Sequence, residues 1–382
     1  MGITKPDLIV VGAGLFGLTI AERTANVLGK TVQIIESTDH IGGKAFSYLD
    51  AKSKIEVHKY GSHIFHTSNQ IVFDYVSQFM SLNHYEHRVL SSHKDVLYEF
   101  PINLNTLNKF FNLNLKESEA DLFFESIRVK SSSKAKNLQE KAIELVGQDL
   151  YMAFIRGYTA KQWNEDPINL PSSIISRIPV RSNRDSRYFD DLHQGIPVEG
   201  YQSWFNAMLS NSKIHVELSK DFLRNKTRFS ADVPIVYTGA IDRFFDFKYG
   251  LLGWRTLDFK IENVNERSFQ STAVINYPDM DVPYTRIHEF KKLHPERHGA
   301  ENLTTIMYEY SRKAERDDNP CYPMNRGADR EKYIRYREEA SNLSNVIFAG
   351  RLGSYKYLDM DMAIASALVT FQNKILPRFL HE

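Results

Sequence analysis

Asp7-Leu8-Ile9-Val10-Val11-Gly12-Ala13-Gly14-Leu15-Phe16-Gly17-Leu18-Thr19-Ile20-Ala21-Glu22-Arg23 reads as an apolar strand, a glycine turn and a helix, and Thr31-Val32-Gln33-Ile34-Ile35-Glu36 adds a second apolar strand ending on an acid. Gly12 permits the tight turn, Gly14 lets backbone approach a pyrophosphate, and Gly17 lets the helix pack on the strand. The first helical turn, Phe16 within it, offers free N–H groups to the anion. Glu36 falls where a carboxylate accepts a ribose hydroxyl. A glycine triplet alone also marks an ordinary strand-to-helix turn, but both strands and the terminal acid at the required spacing select a dinucleotide-binding unit. A second glycine pair in His40-Ile41-Gly42-Gly43-Lys44-Ala45 follows Glu36 closely. Paired glycines allow backbone to wrap an adenosine and pyrophosphate, which favours FAD over NAD and assigns Gly42, Gly43 and Lys44 to the cofactor; a plain surface turn is the alternative.

The 382 residues give room for two or three structural units, and no Ser/Gly-rich or Pro-rich linker separates them, so interwoven domains are expected. A formal net charge of +1 creates no global field for nucleic acid or an acidic membrane, so any anion site must be local. The single cysteine, Cys321, excludes an internal disulfide and a multi-cysteine zinc site and fits a reducing, cytoplasmic setting. Histidines are scattered without metal-ligand spacing, so no metal is expected. The first apolar run has no basic leader and is too short to span a bilayer; it reads as a buried strand, with no membrane insertion.

The fold expected is α/β: a Rossmann-like FAD-binding domain (1–83, 194–248 and 325–382) interwoven with an antiparallel β-sheet domain (84–103 and 249–324) and a helical-bundle insertion (104–193) for substrate. Arg88–Ser91 and Val96–Phe100 read as a hairpin around the polar turn Ser92–Asp95, and Leu138–Tyr151 as one amphipathic helix. The strand Val346-Ile347-Phe348, followed by Gly350-Arg351-Leu352-Gly353 and a helix from about Met360, is expected to lie beside the first strand and complete the cofactor site.

Lys59-Tyr60-Gly61-Ser62-His63-Ile64-Phe65-His66-Thr67, Gly157-Tyr158-Thr159-Ala160-Lys161-Gln162-Trp163, Val282-Pro283-Tyr284-Thr285-Arg286 and Gly350–Gly353 with Tyr357-Leu358-Asp359-Met360-Asp361 follow in order along nearly the whole chain. Together they resemble bacterial UDP-galactopyranose mutases. The resemblance implies a UDP-sugar substrate, an electron donor to reduce FAD, a homodimer, and pyranose–furanose interconversion without net redox, with reduced FAD acting through N-5 to form a covalent sugar adduct while UDP leaves and returns.

By the same resemblance Arg177, on a closing loop, and Arg286, from the sheet side, hold the diphosphate. Phe154 and Tyr158 form a platform for uridine, although composition alone would place them in the core. Trp163 reads either as a loop contact or as a hydrophobic anchor. Tyr188, Tyr322 and Tyr357 donate to phosphate oxygens. Asp359 either shapes the local field or caps the helix from Met360. His63 and His66 border the flavin or are hydrogen-bonded core residues, and His63 is the candidate for proton movement. Gly350, Arg351 and Met360 complete the flavin side, with Arg351 favouring its reduced anion.

Lys44, Ser62, His87, Asn164, Ser182 and Cys321 depart from the family pattern. Ser62 and His87 are expected near the sugar and leave its identity open, an N-acetylated or dTDP-deoxy hexose included. Two rivals share the opening fingerprint. An amine-oxidase-like flavoenzyme leaves the arginines without a purpose, and a binding protein that has given up the cofactor would purify colourless.

Overall fold

The computed structural model describes residues 5–129, 134–177, 179–228, 232–297 and 299–380; the side chains of Ser176, Arg177, Thr227 and Arg228 lie outside that description. Its centre is a five-stranded, all-parallel sheet in the order Val346–Phe348, Ile235–Tyr237, Leu8–Val11, Val32–Ile35, Ile214–Glu217. Every residue of Leu8–Val11 is buried, as a parallel strand covered on both faces requires, which is why its sequence is continuously apolar rather than alternating. The helix Leu15–Leu28 packs back on this sheet and ends at Gly29 in the left-handed region.

One expectation is corrected here. Val346–Phe348 does not pair with the first strand; Ile235–Tyr237 lies between them. The closure instead comes from the following helix, Met360–Thr370, which lies along Leu15–Leu28.

A second sheet of seven strands runs Tyr322–Pro323, Trp254–Val264, Thr304–Lys313, Arg286–Glu289, Val274–Asn276, Val89–His93, Val96–Phe100. It is mixed rather than purely antiparallel, because Val274–Asn276 pairs parallel with Val89–His93. The hairpin reaches this edge from a distant part of the chain, so no tight turn dictates its direction. Its own turn is shorter than expected: only Lys94 and Asp95 leave the strands, both at positive φ, as a two-residue hairpin demands.

The inserted unit contains the helices Leu104–Phe111, Glu117–Ile127 and Leu138–Val146, the first and third capped by the side chains of Asn103 and Asn137. The helix expected over Leu138–Tyr151 breaks at Gly147 (φ 82°) and restarts, passing through a wide turn at Tyr151–Arg156 into Gly157–Trp163. That last helix presents Tyr158 and Lys161 to the second sheet.

Candidate active site

A cavity of about 470 Å³ opens at the C-terminal ends of Leu8–Val11, Val32–Ile35 and Ile235–Tyr237, the place where open parallel sheets bind ligands. Gly12, Gly14, Phe16, Gly17, Glu36, Gly42, Gly43, Lys44, His63, Gly350, Arg351, Asp359 and Met360 all line it; His66 does not. The two glycine segments form one wall, since Gly14 bridges Gly42 and the Gly42 N–H donates to Ala13 O at 2.8 Å. Gly12 sits at φ 104°, and a Cβ there would fall 2.1 Å from Thr238 Oγ1. Glu36 Oε1 accepts from the Thr38 N–H (2.7 Å), while Oε2 accepts from the Ala13 N–H (2.7 Å) and keeps a lone pair for a further donor.

Two cations stand on the cavity wall. Lys44 Nζ donates to Asn319 O (3.3 Å) and lies 4.6 Å over the Tyr60 ring; burial pulls its ammonium below the usual lysine range. The Arg351 guanidinium donates to Leu358 O and sits 5.1 Å over the Tyr357 ring. Burial holds His63 down to about 4, so it is neutral near pH 7. Its Nδ1 donates to Gly61 O at 2.8 Å, which leaves Nε2 as an acceptor. Asp359 stands at the cap position of Met360–Thr370 yet makes no capping bond; its Oδ1 instead accepts the Tyr357 hydroxyl at 2.7 Å.

Tyr357 leads out of this cavity toward a second charged centre. Its ring stacks on Tyr322 at 5.8 Å, and Tyr322, Tyr158 and Tyr188 surround the guanidinium of Arg286, which projects from the strand Arg286–Glu289. Burial opposes the charge of Arg286, but the Glu309 carboxylate favours it, and at high pH ionisation of Tyr158 and its neighbours would add to this and carry its pKa well above the ordinary value. The guanidinium lies 5.6 Å from the Tyr158 ring centre and 3.9 Å from Glu309 Oε2, and its buried Nε has no hydrogen-bond partner among the described residues. Burial raises the pKa of Tyr158 and Tyr322, so both keep their phenolic protons as donors. Glu309 is held down to about 2: burial works against its charge, and Arg286 and His288 outweigh it.

A guanidinium ringed by tyrosines is thus linked through Tyr322 and Tyr357 to the cavity lined by the glycine segments. Among known proteins, residues 10–79 match the NAD(P)-binding Rossmann-like domain and residues 153–357 match the UDP-galactopyranose mutase family. The chain is 39% identical to a probable UDP-galactopyranose mutase of Klebsiella pneumoniae over 96% of its own length and 94% of the relative's. This chain belongs to the UDP-galactopyranose mutase family. It is also 36% identical to the dTDP-fucopyranose mutase of Escherichia coli, covering 94% of this chain and 96% of that one. Its fold matches a crystal structure of reduced UDP-galactopyranose mutase with TM-score 0.70 at 15% identity, over 97% of this chain and 96% of the other.

The remaining expected mutase-family positions fall as follows. Tyr188 donates its N–H to His87 O (2.8 Å) and sets its ring 5.3 Å from the His87 ring. Burial, with Arg286 adding to it, holds His87 down to about 3, and its Nδ1 pairs with the Tyr85 hydroxyl at 2.9 Å. Phe154 is only 3% exposed, edge-on to Tyr98, Phe110 and His93, so a uracil reaches its face only where that cluster parts. Trp163 ends its helix half-buried against the core, and Asn164 beside it takes the left-handed cap conformation (φ 49°) that asparagine tolerates. The two histidines of the Lys59–Thr67 motif part: His66 leaves the cavity wall, pairing with Asp191 (2.7 Å) and stacking on Phe189. Arg177 ends the turn Ser172–Arg177, and its side chain lies outside the described residues.

Sequence reading missed Glu309 and His288. His288 Nε2 lies 3.1 Å from Glu309 Oε2, and its Nδ1 lies 2.9 Å from Ser62 Oγ, so the departure at Ser62 has a partner on the strand Arg286–Glu289. The one signal was an acid, Glu309, on the same strand face as Met307, where an apolar residue is expected.

Proposed function

We propose that this chain is a flavin-dependent mutase that interconverts the pyranose and furanose forms of a nucleotide sugar, with UDP-galactopyranose to UDP-galactofuranose as its reaction. The observation that carries this reading is the Arg286 pocket with its tyrosines, joined by Tyr322 and Tyr357 to Asp359 at the cavity wall. FAD would fit that cavity: glycine backbone without side chains leaves room for a pyrophosphate, Glu36 keeps an acceptor for a ribose hydroxyl, and Lys44 and Arg351 stand on its wall. Reduced FAD, when bound there, would supply the nucleophile for the anomeric carbon.

The protein's own groups then have defined tasks. Arg286, with Arg177 proposed as its partner, offsets the charge that grows on the departing diphosphate, and a guanidinium fork matches two phosphate oxygens. Tyr158, Tyr188 and Tyr322 donate without adding charge, Tyr357 would do so on turning its one proton from Asp359 to the phosphate, and Tyr158 also offers its ring to uracil. His63, neutral with Nε2 as an acceptor, would receive the proton that a sugar hydroxyl gives up as the ring recloses. Lys44 and Arg351 favour negative charge on the electron-rich cofactor. An external electron donor must supply that reduced state, and a cytoplasmic setting suits it.

A second reading keeps the chemistry and changes the sugar to a dTDP-linked deoxyhexose. It is favoured by the dTDP-fucopyranose mutase relative and by His87, whose ring is walled by Tyr188 and Phe189. The test is to incubate the protein with UDP-galactopyranose and dTDP-fucopyranose, with and without dithionite, and analyse for furanose. The proposal expects product only after reduction and faster turnover of the UDP sugar. Preference for the dTDP sugar selects the second reading, and equal conversion by the oxidised protein contradicts both.

A further inference from the structure

Lys161 lies on the helix Gly157–Trp163, three residues after Tyr158. Its ammonium lies within hydrogen-bond reach of four backbone carbonyls, Tyr277 O at 2.6 Å, Asp279 O at 2.8 Å, Val282 O at 2.8 Å and Tyr284 O at 3.0 Å, so its three protons serve four acceptors and one is shared. All four belong to the connection between the strands Val274–Asn276 and Arg286–Glu289. The amine therefore occupies the centre of a carbonyl ring, as a bound cation would.

Gly157, one turn earlier on the same helix face, comes so close to this connection that a Cβ would fall 2.1 Å from Pro278 O. From the other side, the Asp279 carboxylate accepts from His93 Nδ1 and from the Lys94 N–H (2.7 Å). The connection is thus gripped between helix and hairpin. Its last clamped residue, Tyr284, lies two residues before Arg286, whose guanidinium meets the Tyr158 ring of the gripping helix.

We propose that Lys161 is a positioning residue, a built-in cation that fixes the course of residues 277–284 and so sets Arg286 against Tyr158. The role of Arg286 rests on the function proposed above; the fixing of the connection does not. Burial pulls the ammonium down to about 8 against the opposing charges of Asp279 and Asp281. The other ionisable groups around the connection are His93, from the hairpin, Tyr277 and Tyr284 within it, and Tyr308, Glu309 and Tyr310 from the neighbouring strand; burial raises the pKa of Tyr277, Tyr284 and Tyr308. The ring therefore loses its cation in mildly alkaline solution while those three tyrosines stay neutral.

The test uses the whole FAD-loaded protein and the variants Lys161→Met and Lys161→Ala. Hydrogen exchange of the 277–286 amides reads the connection directly, and UDP binding reads the consequence at Arg286. Lys161→Met should exchange at least tenfold faster in that segment, bind UDP about tenfold more weakly, keep its flavin absorbance, and lose the weakening of UDP binding that the parent shows above about pH 8. Added propylammonium should slow exchange again in Lys161→Ala but not in Lys161→Met. Unchanged exchange in both variants overturns the inference, and so does loss of flavin and of protection throughout the molecule. Faster exchange at 277–286 in a protein whose parent binds no UDP leaves the clamp standing and removes the functional reading instead.

Discussion

Arg286 concentrates the functional argument in one side chain. Its Nε is buried without a partner among the described residues, and leaving a charged donor unsatisfied inside a protein costs on the order of 1–3 kcal/mol unless a ligand supplies the acceptor. Replacing it with alanine should lower kcat/KM by roughly a hundredfold or more, the scale of losing one preorganised charge contact. Lysine should recover only part of this, because a point charge does not reproduce the two-pronged fork. Steady-state kinetics on both variants check the assignment; near-parental rates mean that the diphosphate lies elsewhere. At this scale the glycines and Glu36 were legible because their spacing is local. Arg286 and its tyrosines became visible only through resemblance, since they come from separate segments. Glu309 and His288 were hidden for a physical reason: an acid among alternating strand residues announces a buried pair only when the adjacent strand is known.

Elements decide whether the cofactor cavity exists at all. The turn between Leu8–Val11 and Leu15–Leu28 depends on Gly12, which holds φ 104° and faces Thr238, while Thr238 Oγ1 is itself tied to Val11 O at 2.7 Å and cannot swing away without breaking that bond. Gly12→Ala combines positive-φ strain with this clash, so it should destabilise by more than about 1 kcal/mol. The purified variant is expected to be nearly colourless and to melt at lower temperature. A yellow Gly12→Ala protein with parental flavin content contradicts the assignment of this turn. Strands and helices carrying strong apolar runs or nearby punctuation could be read from sequence, the Met360–Thr370 helix among them. Trp254–Val264 could not, because its half-exposed face mixes charges with apolar residues and blurs the two-residue period, and Arg286–Glu289 could not, because three of its four residues are polar or charged although the strand is largely buried.

The whole molecule is assembled from segments that leave and re-enter both sheets, and sequence order conveys this interweaving without fixing strand order. The Val346–Phe348 strand shows the limit: its apolar run was evident, but only tertiary packing places Ile235–Tyr237 between it and the first strand. The joined core also buries several titratable groups. Burial holds His58 and His87 down to about 3 and His63 to about 4, all below the ordinary histidine value of 6.5. Glu309 is held down to about 2 from the ordinary 4.5 by Arg286 and His288 against the cost of burial. For all four the unfolded chain binds more protons than the folded one as pH falls, so their stabilisation is present above the unfolded pKa and is lost through the folded pKa. Unfolding free energy should be nearly flat in these groups above pH 7 and should fall below about pH 6.5, by up to about 1.4 kcal/mol per pH unit for each group in its window. Denaturant melts between pH 7.5 and 4 check this; stability that rises on acidification contradicts it. The same joining of two sheets brings the Arg286 pocket to the dinucleotide cavity, and the functional account stands on that junction. Its most direct test is to incubate dithionite-reduced protein with isotopically labelled nucleotide sugar and cyanoborohydride, then weigh the released flavin by mass spectrometry. The account predicts flavin carrying one hexose, absent from oxidised protein and strongly reduced in Arg286→Ala. Turnover to furanose with unmodified flavin in every sample would contradict it.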